Sequence, residues 1–286
     1  MKTVDLHTHS NYSDGTCSTE ELVTLAAEKG LAAIALTDHD TTAGVESALA
    51  YAKEQQVPLQ VIPGTELSVM YKKTEIHMVG LFIDYRNESL INACLEFVAR
   101  RGSRNEEMIA NFNQAGIPMT LEALKEGNPD TVVTRAHFAR YLIGHGFAKD
   151  SKEAFAKYLD ESCPYYVPRY KITYDEGIRL ILGAGGVPIL AHPLHYHLPE
   201  NTLRELIAAC KENGLAGIEV KYVNHTKQDE YFVNRLAKQY ELLPSGGSDF
   251  HGSNKPDIAL GTGRGNLSVP WEYLEQLAAF AGKKML

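Results

Sequence analysis

VDLHTHSNYSDG, residues 4–15, joins a short apolar run to three side chains that can bind a metal ion, His7, His9 and Asp14. The run Val4–Leu6 reads as a buried strand, with the polar residues following at its carboxyl end. Ser18–Glu21 then forms a capping box, Leu22, Leu25 and Ala26 make an apolar stripe, and Gly30 stops that helix. The pattern recurs along the chain. Ala32–Leu36, Leu59–Ile62, Ile76–Phe82, Val187–Leu190, Ile218–Val220 and Leu242–Pro244 read as further strands. Helices are expected from a second capping box, Thr173–Glu176, to about Ala184, and over Thr202–Asn213, Thr226–Tyr240 and Pro270–Ala281. This alternation predicts a parallel α/β architecture, and seven strands suggest a barrel related to the eightfold TIM type, distorted or one unit short.

One interval breaks the rhythm. From about Phe97 to Pro168 the sequence offers helices and no convincing strand: one through Asn113, then Leu121–Lys125, Thr134–Ile143 and Ser151–Asp160. The organisation expected is a barrel from residues 1–96 and 169–286, with a helical insertion, 97–168, lying over one end as a substrate cap.

The potential ligands stand at strand ends. His7, His9 and Asp14 follow the first strand, and His39 follows the second in LTDHD. Glu66 sits in PGTELS, His77 in EIHMVG, His192 in ILAHP, and Asp249 and His251 in GGSDFHG. In an α/β barrel the carboxyl ends of the strands converge on one face, so residues far apart in sequence meet. Imidazoles and carboxylates favour Zn, Mn or Fe, and a carboxylate can bridge two ions. In an extended segment His7 and His9 point the same way and can reach one ion.

A hydrophobic content of 44% and a charged content of 22% are ordinary for a soluble globular chain. No apolar run approaches the ~20 residues that cross a bilayer, and the N-terminus carries no signal core. The four cysteines form no CxxC pair, which fits a reduced, cytoplasmic setting. A formal charge of −8 over 286 residues argues against a protein that coats nucleic acid. It does not argue against a phosphorylated substrate, because divalent ions reverse the local field.

Taken in order, HTHSNYSDG, LTDHD, GTE, the histidine of EIHMVG, AHP and GSDFHG resemble the motifs of the PHP (polymerase and histidinol phosphatase) superfamily of metal-dependent phosphoesterases. The resemblance implies a distorted (β/α)7 barrel, the PHP fold, with two or three divalent ions, Mn2+, Zn2+ or Fe2+. By the motifs' positions, His7, His9, Glu66 and Asp249 would hold one ion. Glu66 would bridge to a second held with His77 and His192, and Asp14, His39 and His251 would hold a third. Many members carry a histidine where Asp14 stands. His7, His9, Glu66, Asp249 and His192 would carry the catalysis, with metal-activated water as nucleophile.

The insertion with VTRAHFARYL, then YVPRY and GGVPILAHP, is similar to one branch: bacterial 3′,5′-nucleotide bisphosphate phosphatases and 5′-3′ exoribonucleases. That implies hydrolysis of the 5′-phosphate of a 3′,5′-nucleotide bisphosphate, of a 5′-monophosphorylated RNA end, or of both. The partners implied are a small phosphorylated nucleotide or a short RNA 5′ end, with no membrane and no stable protein partner. The alternatives are a phosphatase for another small ester, such as histidinol phosphate, and a non-catalytic metal-binding PHP module. For the second phosphate, Arg135 and His137 are the first candidates, since a guanidinium matches phosphate geometry. Arg169, Lys171, Asn224 and His225 follow, and Tyr165, Tyr166 and Tyr170 are candidates to stack on a base. Asp38 and Asp40 are candidates to orient ligand histidines, with a simple turn or capping role as the alternative for each. His145, His195 and His197 carry no assigned role.

Overall fold

The computed structural model describes residues 2–125 and 127–285. Seven principal strands form where the short apolar runs lie: β1 (Thr3–Thr8), β2 (Ala33–Leu36), β3 (Gln60–Tyr71), β4 (Thr74–Leu81), β5 (Val187–Leu190), β6 (Gly217–Tyr222) and β7 (Leu243–Gly247). A two-residue strand, β8 (Val269–Pro270), was not foreseen. The sheet order is β7-β6-β5-β4-β3-β2-β1-β8. Just past β7 the sheet curls back onto β1: the Asp249 amide donates to the His7 carbonyl (2.9 Å) and the His9 amide to that of Phe250 (3.0 Å). The result is a nearly closed barrel. Gly247 makes this approach possible, because a Cβ there would overlap that of His7.

β4 departs from the parallel rule. It pairs antiparallel with both β3 and β5. β3 runs into it through the tight turn at Lys72 and Lys73, and a connection that short can only join antiparallel strands. His77 therefore lies in the amino-terminal half of its strand, opposite Ser68 of the long β3. Reversal of β4 still leaves His77 on the face where the parallel strands end.

The helices are α1 (Thr19–Glu28), α2 (Val45–Glu54), α3 (Glu88–Gln114), α4 (Leu121–Lys125), α5 (Arg135–Gly144), α6 (Ser151–Ala154), α7 (Tyr174–Gly183), α8 (Glu200–Glu212), α9 (Lys227–Gln239) and α10 (Trp271–Phe280). A π-helical turn, Phe155–Leu159, continues α6. Both capping boxes read from the sequence are formed, Ser18 with Glu21 and Thr173 with Glu176. α3 passes without interruption across position 97, so one helix runs from the barrel into the helical segment. That segment has its own core, with Met108, Phe112, Phe138, Leu142 and Leu159 fully or almost fully buried. Tyr165 stacks on Phe112 inside it, with ring centroids 4.6 Å apart, which commits that face of the ring to packing.

Candidate active site

Glu66, near the middle of β3, is the point on which the strand ends converge. Its Oε2 lies 3.3 Å from His7 Nε2, 3.4 Å from His9 Nε2 and 2.9 Å from His39 Nδ1. Its Oε1 lies 2.9 Å from His77 Nδ1 and 3.0 Å from His192 Nε2. Asp249 Oδ1 is 3.3 Å from His9 Nε2 and 3.8 Å from His7 Nε2. Asp14 Oδ1 is 3.2 Å from His251 Nε2 and 3.7 Å from His39 Nε2. All nine residues proposed from sequence thus stand in one cluster, most of it buried.

Among the described residues, three sets of side chains place ligand atoms within 4.8 Å of one another: His7, His9 and Glu66; His39, Glu66 and His77; and His9, Asp14, His39 and His251. His39 therefore touches both Glu66 and the Asp14 set, a sharing that sequence position did not reveal. A test of fit comes from the polar atoms left over. His7 Nε2, His9 Nε2, Asp14 Oδ1, His39 Nδ1, Glu66 Oε2 and His192 Nδ1 are buried and make no aligned hydrogen bond. Buried polar atoms are almost always satisfied, so a converging group of unsatisfied imidazole and carboxylate atoms fits divalent cations.

The electrostatics follow the same geometry. Burial alone would raise Glu66, but His7, His39 and His77 hold its carboxyl well below the usual range. Burial opposes the charge on His77 as well, yet Glu66 and Glu75 carry it up to about 10. His192 and Asp249 take left-handed backbone angles, φ 27° and 53°, rare for residues with a Cβ. Such conformations cost about 1–3 kcal/mol each and cluster at functional sites.

Several groups that orient the cluster were not legible beforehand. Glu219 of β6 accepts from His7 Nδ1 at 2.9 Å and from the His192 amide at 2.6 Å. It fixes the His7 tautomer that leaves Nε2 facing Glu66, the role a carboxylate plays behind a metal-bound imidazole. A lone acidic residue inside the apolar GIEVKY was the available signal. Replacing Glu219 with alanine is expected to weaken metal affinity by about 10–100-fold. A metal titration that returns the wild-type curve would remove this role. Tyr222 Oη and Lys255 Nζ donate to Asp249 Oδ2 at 2.9 and 2.7 Å, leaving Oδ1 to face the histidines.

Of the two aspartates flanking His39, Asp38 reaches a histidine of the cluster through one hydroxyl, since Ser13 Oγ lies 3.5 Å from His9 Nδ1, and Asp40 acts elsewhere. Asp38 accepts from the Ser10 amide and from the hydroxyls of Ser10 and Ser13, and so pins the 10–14 loop. Asp40 accepts from the Ser68 amide and pairs with Arg101 and, at 3.1 Å, with Arg169. Its φ of 55° turns the chain at this point, and its partners are arginines and not a histidine. Against the cost of burial, Arg169 and Arg101 bring its carboxyl down to about 2.

Above the cluster lies a cavity of about 570 Å3. Arg101, Arg104, Arg135, Arg169 and Lys171 line it from α3, α5 and the chain entering α7. Arg101, Arg104 and Asn105 are buried at i, i+3 and i+4 of α3, one face of the helix, which was the overlooked signal for the first two. Arg104 has no carboxylate partner among the described residues. Its Nη1 contacts Met108 Sδ at 3.3 Å and its Nε is unsatisfied. Burial, and then the neighbouring Arg101, Arg169 and Arg135, push it down to about 9.

Arg135 and Arg169 line the cavity as proposed, as does Asn224, which accepts from Arg264 at 2.5 Å on its rim. Two other candidates do not. His137 Nδ1 accepts from the Thr134 amide, closing a capping box at the start of α5, and its ring is outside the cavity lining. His225 is buried against the Val220 carbonyl, 2.9 Å from Nδ1, for the same outcome. Tyr166 lines the cavity, Tyr170 lies under Arg100 away from it, and His195 lines it beside His192.

The PHP domain family profile matches residues 5–166, more than half of the chain. The chain belongs to the PHP family. Its PHP relatives include the 5′-3′ exoribonuclease Rnm of Escherichia coli, 35% identical over 247 residues, covering 86% of this chain and 84% of that one. A 3′,5′-nucleoside bisphosphate phosphatase of Chromobacterium violaceum is 34% identical over 253 residues, 88% of each. Among solved structures, a putative metal-dependent phosphoesterase from Bifidobacterium adolescentis superimposes with a TM-score of 0.85 at 29% identity, over 97% of this chain and 96% of that one. The protein is a metal-dependent phosphoesterase of the PHP fold. No helix among the described residues is long and apolar enough to cross a membrane.

Proposed function

We propose that this PHP phosphoesterase hydrolyses a phosphate ester of a nucleotide that carries a second phosphate: a 3′,5′-nucleotide bisphosphate, a 5′-monophosphorylated RNA end, or both. One observation carries the reading. Five cations, Arg101, Arg104, Arg135, Arg169 and Lys171, line a wall of the cavity that also contains Glu66, His77 and Asp249. The carboxylates paired with them are Asp40 and Glu75, which leaves three of the five positive charges unbalanced. A phosphate dianion matches that excess, and guanidinium groups bind it in a fork.

The helical segment would act as the cap that supplies Arg101, Arg104 and Arg135. His7, His9, Glu66 and Asp249 would hold one ion, and Glu66, His77 and His192 a second. Asp14, His39 and His251 would hold a third, with Mn2+, Zn2+ or Fe2+ all suited to the donor set. Such ions supply Lewis-acid stabilisation and activation of water. The chain's own groups do the rest. Glu219 keeps His7 in one tautomer, Tyr222 and Lys255 hold Asp249, and the arginine wall fixes the second phosphate and thereby the ester to be cleaved. The cavity volume lies within the ~300–1,000 Å3 usual for small-ligand sites. The relatives named as acting on RNA and on nucleoside bisphosphates support this class of substrate. The free cysteines accord with a cytoplasmic setting. Histidinol phosphate fits less well, because its amine would meet the cationic wall.

Purified protein given Mn2+ is expected to release product from 3′-phosphoadenosine 5′-phosphate or from 5′-phosphorylated RNA oligomers. Its kcat/KM for these should exceed that for AMP or histidinol phosphate by about 100-fold, the worth of two strong charge-assisted hydrogen bonds. Activity confined to histidinol phosphate, or equal on AMP, would sink the proposal.

A further inference from the structure

We infer that Thr134, at the start of α5, is a positioning residue for Asp14 and sets the affinity of the ion site assigned to Asp14, His39 and His251. This rests on the metal-centre reading above.

The inference comes from the count of protons and lone pairs at one hydroxyl. Thr134 is the N-cap of α5, and its Oγ1 accepts from the Ala136 amide at 3.1 Å. That bond uses a lone pair and leaves the hydroxyl proton free. The Nδ1 of His137, 3.4 Å away, accepts instead from the Thr134 amide at 3.1 Å, so its lone pair is already engaged. The proton goes to Asp14: Thr134 Oγ1 donates to Asp14 Oδ2 at 2.9 Å. With Oδ2 engaged, Oδ1 is the oxygen left over, buried and unsatisfied. It faces His251 Nε2 at 3.2 Å, His39 Nε2 at 3.7 Å and His9 Nδ1 at 3.9 Å. The hydroxyl therefore fixes the rotation of the carboxylate and aims one oxygen at the three imidazoles.

The two segments are also joined independently of this contact. Asn128 Nδ2 donates to the Asn11 carbonyl at 2.7 Å, the Val132 amide to that of Tyr12 at 2.9 Å, and Thr131 Oγ1 to that of Ser13 at 2.7 Å. Asn254 Nδ2 donates to the Asp14 carbonyl at 2.6 Å. The Asp14 backbone stays in place when Thr134 changes, and what is lost is the orientation of its side chain. Arg135, the next residue, lines the cavity, so one helix start serves both the ion site and the substrate wall.

The test is Mn2+ binding, read as ions per chain by elemental analysis at fixed free Mn2+ and as dissociation constants by titration. Thr134→Gly removes the hydroxyl while glycine remains an acceptable N-cap. It is expected to weaken the weakest ion site about 10–100-fold, the usual effect of losing a group that orients a ligand. Thr134→Ser should bind as wild type does. His137→Ala loses the return bond of the capping box but keeps the hydroxyl on Asp14, and it too should bind normally. Wild-type affinity in Thr134→Gly, or a loss in His137→Ala equal to that in Thr134→Gly, would overturn the inference. Asp14→Ala separates the two levels of the account and should remove one ion per chain. If it keeps the wild-type number, the metal-centre reading itself fails.

Discussion

Replacing Glu66 with glutamine is expected to lower kcat/KM by at least ~1,000-fold and to remove bound metal in parallel. Its two oxygens are divided between two sets of histidines: His7, His9 and His39 on Oε2, and His77 and His192 on Oε1. Glutamine keeps one acceptor and turns the other into a donor, so one of the two sets faces an N–H where it needs a lone pair. A bridging carboxylate also supplies the negative charge that two cations share. The loss of several kcal/mol of charge stabilisation, at about 1.4 kcal/mol per factor of ten, gives the expected magnitude. The size and neutrality of glutamine make gross unfolding avoidable, and circular dichroism checks it. A Glu66→Gln variant with full metal content and activity would remove Glu66 from the bridging role.

Arg104→Met is expected to move binding and stability in opposite directions. The guanidinium is buried and unpaired by any carboxylate among the described residues, with three other arginines nearby. Its proton is held less tightly in the fold, at about 9, than in an unfolded chain at 12.5. For a base with a lowered folded value, the charged form is penalised. The penalty is complete below pH about 9 and shrinks as the pH rises above it. Methionine relieves this cost at neutral pH and fills a similar volume beside Met108, so the melting temperature should rise by a few degrees, on the order of 1–3 kcal/mol. The same change should raise KM for a nucleotide bisphosphate by about 10–100-fold, the worth of one charge-assisted bond to phosphate, while hydrolysis of AMP is unaffected. An Arg104→Met enzyme that keeps its preference for the bisphosphate over AMP would take Arg104 out of the phosphate wall. Arg101 offers the contrast, since Asp40 already balances it and its removal brings no comparable gain.

The strands and most helices were legible because each is a local signal: an apolar run of three to seven residues, or a serine or threonine three residues before a glutamate. The direction of β4 was not, because an apolar run reads the same either way and the turn before it is Lys72-Lys73, without the glycine or asparagine that marks a tight turn. β8 escaped because two residues carry no periodicity. The nine residues of the central cluster were legible because their types are those of metal ligands and barrel topology gathers strand ends. Asp40 shows where proximity in sequence misleads. It adjoins His39, but its left-handed backbone turns the chain and its carboxylate meets α3 and Arg169. His137 and His225 have the chemistry of phosphate ligands, yet backbone groups claim one ring nitrogen of each. Arg101 and Arg104 carried no reading from sequence, and the fold of the helical segment over the barrel is what buries them.

The most direct measurement of the central claim is anomalous diffraction from crystals of the protein soaked in Mn2+, recorded on both sides of the manganese edge. Peaks are predicted on either side of the Glu66 carboxylate, one beside His7, His9 and Asp249 and one beside His77 and His192, with a weaker third between Asp14, His39 and His251. Full occupancy by Mn2+ that leaves this cluster without a peak, or places the ions elsewhere on the barrel, would contradict the account.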